Sequence, residues 1–520
     1  VLLWSDILKM DAESISVTSS FFELGGHSLS AITLMNRIEQ YFSVSIDLRD
    51  IFRFKDIQSL SAHISELETQ EYVGINKADK ASSYVLSSAQ RRMYFLYEFD
   101  KQGTTYNMPG VFQLNENLDV DRFKRSIQAL VMRHESLRTL FEIESSEVRQ
   151  KIGNGEGFEL SEQTLSKKEL DNYIESFIRP FDLSKEYPFR VSLVQLEEGG
   201  YILLLDMHHM ISDGLSQDIL LRDFVSLYLG ESLPPLELQY KDYAVWQQSS
   251  EQQARVLSDK SYWMDLYKED FDVLELPADR PRPLHMDNQG ATVSFNLEEN
   301  KVQQLRNLAL ANDTTLYTVL LSFYTILLSK LGNTEDVIVG TPTSGRHHGD
   351  LDNIVGMFVN TLALRSKLNT KESYHTYLSN LHARVLASFD HQLYQYEDLV
   401  DALDLDRNTS RNPLFDVLFS YFKEEEDSAE ELPMSIQMYQ SAGLEETSKF
   451  DLSLTVTDDN EALQLSFNYR TSLFDSSTIE RFAGYFKKIV ELVVSNQKTT
   501  LGAIDILSKE EKETLLTAFN

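Results

Sequence analysis

Apolar positions in the first 67 residues fall into separate runs at helical spacing. Val1, Leu2, Trp4, Ile7 and Leu8 predict a helix with no cap ahead of it. A polar loop follows over residues 11–20, and Leu29, Ile32, Met35, Ile38 and Phe42 predict a second helix over Ser28–Phe42. A short segment spans residues 47–54, and Asp56 is a candidate N-cap for a last helix through Leu60, Ile64 and Leu67. The pattern predicts a small all-α four-helix bundle over residues 1–67. Periodicity then disappears over residues 68–83, whose polar composition predicts a linker. Beyond it, helical runs at 121–134 and 215–229 alternate with short apolar runs at 201–207 and 337–340, which predicts an α/β or α+β body. One core rarely grows past about 250–300 residues, so this body divides into two lobes. The expected lobes are residues 84–260 and 261–520, with the boundary somewhere in 248–279, close to the poorly patterned stretch 276–290. An acidic run, residues 424–427 with Glu430 and Glu431, reads as a solvated loop.

Composition narrows the function classes. Apolar residues make up 42% of the 520 and aromatics 11%, which excludes a mostly disordered chain. The formal net charge is −33, a poor match to a phosphate backbone, so no nucleic-acid partner is expected. There is no cysteine, which excludes disulfides, thiolate metal sites and a cysteine nucleophile; no metal is expected. The apolar stretches at 201–205 and 316–328 are too short or too polar for a membrane span, and the start has no signal-peptide pattern. The expectation is a cytoplasmic, monomeric fragment. Because the chain begins in mid-helix without Met, it reads as a piece of something longer.

Two segments carry chemistry. In Phe21-Phe22-Glu23-Leu24-Gly25-Gly26-His27-Ser28-Leu29, two glycines permit close approach and Ser28 opens a helix. Orphan amides and the helix dipole favour a negative group there, although an isolated serine at this place is usually no more than an N-cap. The second segment is the apolar run at 201–207, which leads directly into His208-His209-Met210-Ile211-Ser212-Asp213-Gly214 and then a helix. Strand ends that precede helices often face a cleft. Neighbouring strand residues point to opposite faces, so one histidine should face the cleft and the other should pack, which argues against a shared metal. His347-His348 lacks a following Asp-Gly and reads as structural.

The Leu-Gly-Gly-His-Ser-Leu segment resembles the attachment motif of peptidyl carrier domains. That resemblance implies 4′-phosphopantetheine on Ser28, placed there by a separate phosphopantetheinyl transferase. Ser19 departs from the Asp frequent in the family. The stretch 207–216 resembles the active-site motif of condensation domains in nonribosomal peptide synthetases. Other segments match the same family in order: Ser87-Ser88-Ala89-Gln90-Arg91-Arg92-Met93, Arg133-His134-Glu135-Ser136-Leu137-Arg138-Thr139-Leu140-Phe141, Tyr240-Lys241-Asp242-Tyr243-Ala244-Val245-Trp246, Val355-Gly356-Met357-Phe358-Val359-Asn360-Thr361 and Ser410-Arg411-Asn412-Pro413-Leu414-Phe415. The match at His391-Gln392-Leu393-Tyr394-Gln395-Tyr396-Glu397 is imperfect, and Asn408 replaces a frequent Asp.

The resemblance implies two chloramphenicol-acetyltransferase-like lobes with the active histidine between them. It implies amide formation: a carrier-bound peptidyl thioester passes to the amine of an aminoacyl group on a downstream acceptor carrier. Adenylation domains of the same synthetase would be further partners. It places His209 at the reacting centre beside His208, with Asp213 in a structural ion pair. Arg346 is the first candidate partner and Arg92 the second. Gly214 leaves room for the substrate arm, and its amide is a candidate oxyanion donor. The alternatives are an epimerisation domain, which shares the histidine motif, and a silent condensation-like domain that only recruits partners. The 412–415 and 358–361 segments and the Gly-Gly-His-Ser form of the carrier motif look like condensation.

Overall fold

The computed structural model describes residues 1–114, 118–405, 408–423, 436–439 and 446–518. The acidic run at 424–431 lies outside them.

The amino-terminal bundle consists of helices Leu2–Leu8, Ser28–Phe42, Leu48–Arg53 and Ile57–Glu66. Its core is Trp4, Phe21, Leu34, Ile38, Ile51 and Leu60, all buried. Asp56 caps the last helix by accepting from the Ser59 N–H at 2.8 Å. The cap of Ser28–Phe42 is His27, not Ser28: His27 Nδ1 faces the Ser30 N–H, and Ser30 Oγ accepts from the His27 N–H at 2.7 Å. Ser28 is therefore the first helical residue.

Residues 70–83 form no helix or strand, but they are pinned to the body. Tyr72 donates to Asp350 at 3.0 Å, the Ile75 N–H donates to Asp350 at 2.9 Å, and the Ala78 N–H donates to Asp242 at 2.8 Å. Ile75 is buried against Tyr240, Leu351 and Phe358.

The body carries two larger mixed sheets. The first runs in the order 437–438, 107–114, 201–208, 189–196, 161–165, and the second in the order 360–367, 336–343, 417–423, 452–458, 463–470, 290–296. Most neighbours are antiparallel; the pairs 161–165 with 189–196, 336–343 with 417–423 and 417–423 with 452–458 are parallel. The strand Tyr201–His208 is central in its sheet, between two partners, and both faces are covered: Ile202 and Leu204 pack on Leu170 and Ile174, and Leu203 packs into the larger core on the other side. The short strand Gln437–Met438 comes from the carboxyl-terminal half but pairs with Gln113 and Phe112 of the first sheet, tying the two halves together. No single described helix is long and apolar enough to cross a membrane, and the apolar helix Leu316–Gly332 is a core helix buried on nearly all sides.

The bundle sits against the second half. Phe52 meets the His382 ring at 5.2 Å, Arg49 pairs with Asp390 at 3.3 Å and Lys55 pairs with Asp313. Along the helix Ser28–Phe42, Asn36 donates to the Arg346 carbonyl at 2.9 Å, Arg37 faces Asp352 at 3.4 Å and Gln40 donates to Asp350 at 3.2 Å.

Candidate active site

The strand Tyr201–His208 ends at a one-turn helix, His209–Ile211, and Asp213 then caps the helix Gly214–Leu229. The turn separates the two histidines. His208 is buried edge-on to the rings of Tyr97 and Phe181, and its Nδ1 accepts from the Met210 N–H at 3.1 Å. Burial, with a smaller push from His209, lowers its pKa to about 3. His208 is thus a packed, neutral side chain.

His209 is held differently. Its backbone N–H donates to the Tyr106 carbonyl at 2.8 Å. Its Nδ1 lies 2.8 Å from the Ser212 carbonyl. A carbonyl can only accept, so Nδ1 carries the proton and the lone pair is left on Nε2. Burial and then the charge of Lys449 lower the imidazole pKa to about 4. At neutral pH this is an uncharged base in one tautomer.

Asp213 is almost fully buried at 1% exposure, and it is saturated with donors. Oδ1 accepts from the Ser216 N–H at 2.9 Å and from Ser216 Oγ at 2.7 Å; Oδ2 accepts from the Phe358 N–H at 3.0 Å. Arg346 Nη2 completes the set, 3.4 Å from Oδ1 and 3.0 Å from Ser216 Oγ. Arg346 is anchored by the carbonyls of Leu351 and Ile354 and lies over the Phe358 ring at 4.1 Å. Gly345 makes this approach possible: its φ is +66°, and a Cβ there would lie 1.9 Å from the Phe358 carbonyl oxygen. Arg92 does not serve as the partner of Asp213. It pairs with Glu397 at 2.6 Å, because its helix Ser88–Phe99 faces the segment 396–397. Gly214 faces open space: a Cβ there would meet nothing within 4 Å.

The other sequence motifs converge behind this site. The Tyr240 hydroxyl bonds Ser87 Oγ at 2.7 Å and donates to the Met357 carbonyl, and Ser216 Oγ meets both the N–H and carbonyl of Gly356. Asn360 donates to the carbonyls of Gln392 and Tyr394 at 2.9 and 3.1 Å, which holds the imperfectly matching 391–397 stretch. His347 bonds the Gly345 carbonyl and stacks on Trp246, while His348 contacts Tyr72 and the Val73 carbonyl. Sequence reasoning missed two residues: Tyr106, whose carbonyl takes the His209 N–H, and Lys449, whose Nζ lies 4.7 Å from the Tyr106 ring centroid and whose charge acts on His209. Neither lies in a spacing pattern that could have marked it. A cavity of about 610 Å³ lined by Phe158, Tyr173, Lys185 and Arg190 shares no residue with this site.

The carrier motif has its own geometry. Gly25 has φ +98° and its carbonyl accepts from Lys423 Nζ; a Cβ on Gly26 would strike the Phe21 ring at 2.3 Å. Burial lowers the His27 pKa to about 4, with Lys423 as the second cause. Ser28 opens a fifteen-residue helix, and the Lys423 ammonium is bound at the Gly25 carbonyl, three residues ahead of it. Dipole, first-turn amides and cation together fit a phosphodiester at this position.

These two sites, on a two-lobed body of mixed sheets behind a helical bundle, define a carrier and condensation pair. The chain belongs to the condensation-domain family: residues 80–516 match the condensation domain model, and residues 1–64 match the phosphopantetheine attachment site model. Its relatives are peptide synthetases. It is 38% identical over 518 residues to gramicidin S synthase 2 of Brevibacillus brevis, covering 100% of this chain and 12% of that one. It is 38% identical over 518 residues to tyrocidine synthase 3 of Brevibacillus parabrevis, covering 100% and 8%. The chain thus spans only 12% and 8% of the length of these two curated relatives. Among solved structures, the X-domain from teicoplanin biosynthesis superposes with TM-score 0.75 at 23% identity, covering 84% of this chain and 100% of that one. A four-domain nonribosomal peptide synthetase bound to AMP and glycine gives TM-score 0.72 at 20% identity, covering 85% and 35%. These likenesses establish the two-lobed fold.

Proposed function

We propose that this pair forms an amide bond in nonribosomal peptide synthesis. The acyl group of a thioester held on the carrier at Ser28 passes to the α-amine of an aminoacyl thioester on a downstream acceptor carrier. A new C–N bond forms, the C–S bond breaks, and the amine gives up a proton. The observation that carries this reading is His209 Nε2, left as a lone pair by the Nδ1–Ser212 hydrogen bond. A covalently attached phosphopantetheine at Ser28 supplies the thioester and the reach.

The protein's own residues do the rest. An α-amine has a pKa near 7.7–8.0, so freeing it of its proton at pH 7 costs only about 1 kcal/mol. Proton removal before attack is thus a small part of the barrier. His209 Nε2 orients the amine and takes its proton as the bond forms. Gly214, with no side chain and at the start of a helix, leaves space for the substrate arm and offers a first-turn N–H toward the oxygen that gains charge. Asp213 and Arg346 hold the turn and do not touch substrate. The partners in this reading are the acceptor carrier, adenylation domains of the same synthetase, and the transferase that modifies Ser28.

Ser28→Ala is expected to gain no mass on incubation with coenzyme A and a phosphopantetheinyl transferase, while the parent chain gains one arm. A loaded alanine variant would place the attachment elsewhere. The whole reaction is tested by loading Ser28 with an aminoacyl-pantetheine, adding an aminoacyl acceptor carrier and looking for a dipeptide by mass. Stereochemical scrambling of the loaded residue without dipeptide would instead make this an epimerisation domain. A folded, loaded chain with neither product would make it a recruitment domain.

A further inference from the structure

Lys449 lies just ahead of the strand Leu452–Asp458, outside the sequence motifs. Its backbone is clamped: Asn412 Nδ2 and Arg470 Nη2 both donate to its carbonyl, at 3.0 and 2.7 Å. The Asn412-Pro413 motif thereby acquires a task, because it fixes where this lysine starts. The side chain then reaches across to the first half and sets Nζ 4.7 Å from the centroid of the Tyr106 ring. Tyr106 is the residue whose carbonyl receives the His209 backbone N–H.

The charges around it are answered in pairs, except one. Arg92 has Glu397, Arg346 has Asp213, and Asp451, two residues on from Lys449, is shared by Arg282 and Arg470. Lys449 makes no ion pair with any carboxylate among the described residues. It is only partly buried, although protein surrounds it closely enough that burial, and then the like charge of Arg92, pull its pKa down to about 8.

We propose that Lys449 is a positioning residue for condensation: its ammonium, held against Tyr106 beside His209, keeps both the imidazole and the incoming α-amine uncharged. This rests on the reading of His209 given above. Burial is the first cause that holds the imidazole neutral, and a second cation is disfavoured near a first; the Ser212 carbonyl and Asp213 act in the opposite direction. The groups that face His209 are Lys449, the adjoining His208 and Asp213, which is paired with Arg346. Those that face Lys449 are Arg92 and the Tyr106 ring. Above a pH of about 8 Lys449 loses its own proton and the effect should fade.

The test uses the full 520-residue chain with Ser28 loaded. The His209 imidazole is followed by carbon-13 NMR with labelled histidine, from pH 9 down to the acid transition, and its signal is assigned by its loss in His209→Gln. In Lys449→Met, His209 should begin to protonate about one pH unit higher than in the parent, and Lys449→Arg should behave like the parent. The acid limb of single-turnover dipeptide formation should move to higher pH in the methionine variant and rejoin the parent above pH 8. Lys449→Met removes an unpaired charge, so it should melt no lower than the parent; Lys449→Gln repeats the titration with a polar replacement. An unmoved His209 in both neutral variants, or an equal movement in Lys449→Arg, overturns the proposal. If the parent makes no dipeptide at all, the functional reading fails, while the imidazole titration still decides the role of Lys449.

Discussion

His209→Ala is expected to lower single-turnover dipeptide formation by about 10²–10⁴-fold, the usual worth of a positioned acid–base group. The fold should be unaffected. The ring makes one hydrogen bond, to the Ser212 carbonyl, and the backbone N–H to Tyr106 survives the substitution. Circular dichroism and melting temperature should therefore match the parent. The sign of the pH effect is also defined. The parent histidine is neutral throughout the working range, because burial and Lys449 hold its pKa down. Raising the pH frees the amine of its proton in both proteins, so the deficit should narrow above pH 8. It should not vanish, because orientation by Nε2 is lost at every pH. A fully active alanine variant would remove His209 from the reaction. His208→Ala offers the contrast: it empties a packed position between Tyr97 and Phe181 and should cost stability first.

Asp213→Ala is expected to give poorly soluble or unfolded protein. The carboxylate takes donors from Ser216, Phe358 and Arg346, and every one of them is buried or partly so. Removing it strands the Arg346 guanidinium, which is only 6% exposed, and deletes the cap of the helix Gly214–Leu229. Breaking one side of a buried pair costs about 3–5 kcal/mol, and a lost cap adds about 1. Most single domains have only about 5–15 kcal/mol to lose. Soluble yield and thermal melting check the outcome. A well-folded but inactive alanine variant would instead make Asp213 a reacting group. Asp213→Asn should fall between the two, since it keeps acceptors for Ser216 but no charge for Arg346.

Some of this was readable from local pattern. The helix Ser28–Phe42 and the Asp56 cap follow from 3.6-residue spacing and one side-chain acceptor, both of which act within a few residues. The central strand was readable from its continuous apolar run at 201–205, whose side chains pack on both faces of the sheet. The cap at His27 was not readable, since an imidazole is a rare cap and the turn depends on Gly25 at positive φ. The polar segment 68–83 gave no sign of being pinned, because Tyr72 and Ile75 meet an aspartate more than 270 residues away.

The sequence by itself determined the kinds of chemistry present: a serine at a helix start, a histidine at a strand end, an aspartate four residues after it, and no thiol. Each depends on near neighbours along the chain, where spacing sets geometry. Only the tertiary structure decided which proton His209 carries, that Arg346 and not Arg92 meets Asp213, and that Lys449 reaches Tyr106 beside the imidazole. The two long-range outcomes depend on distances between segments 133 residues apart or more, and Coulomb and hydrogen-bond energies fall off over a few ångströms. A linear pattern names the groups; packing the two halves together determines which of them touch.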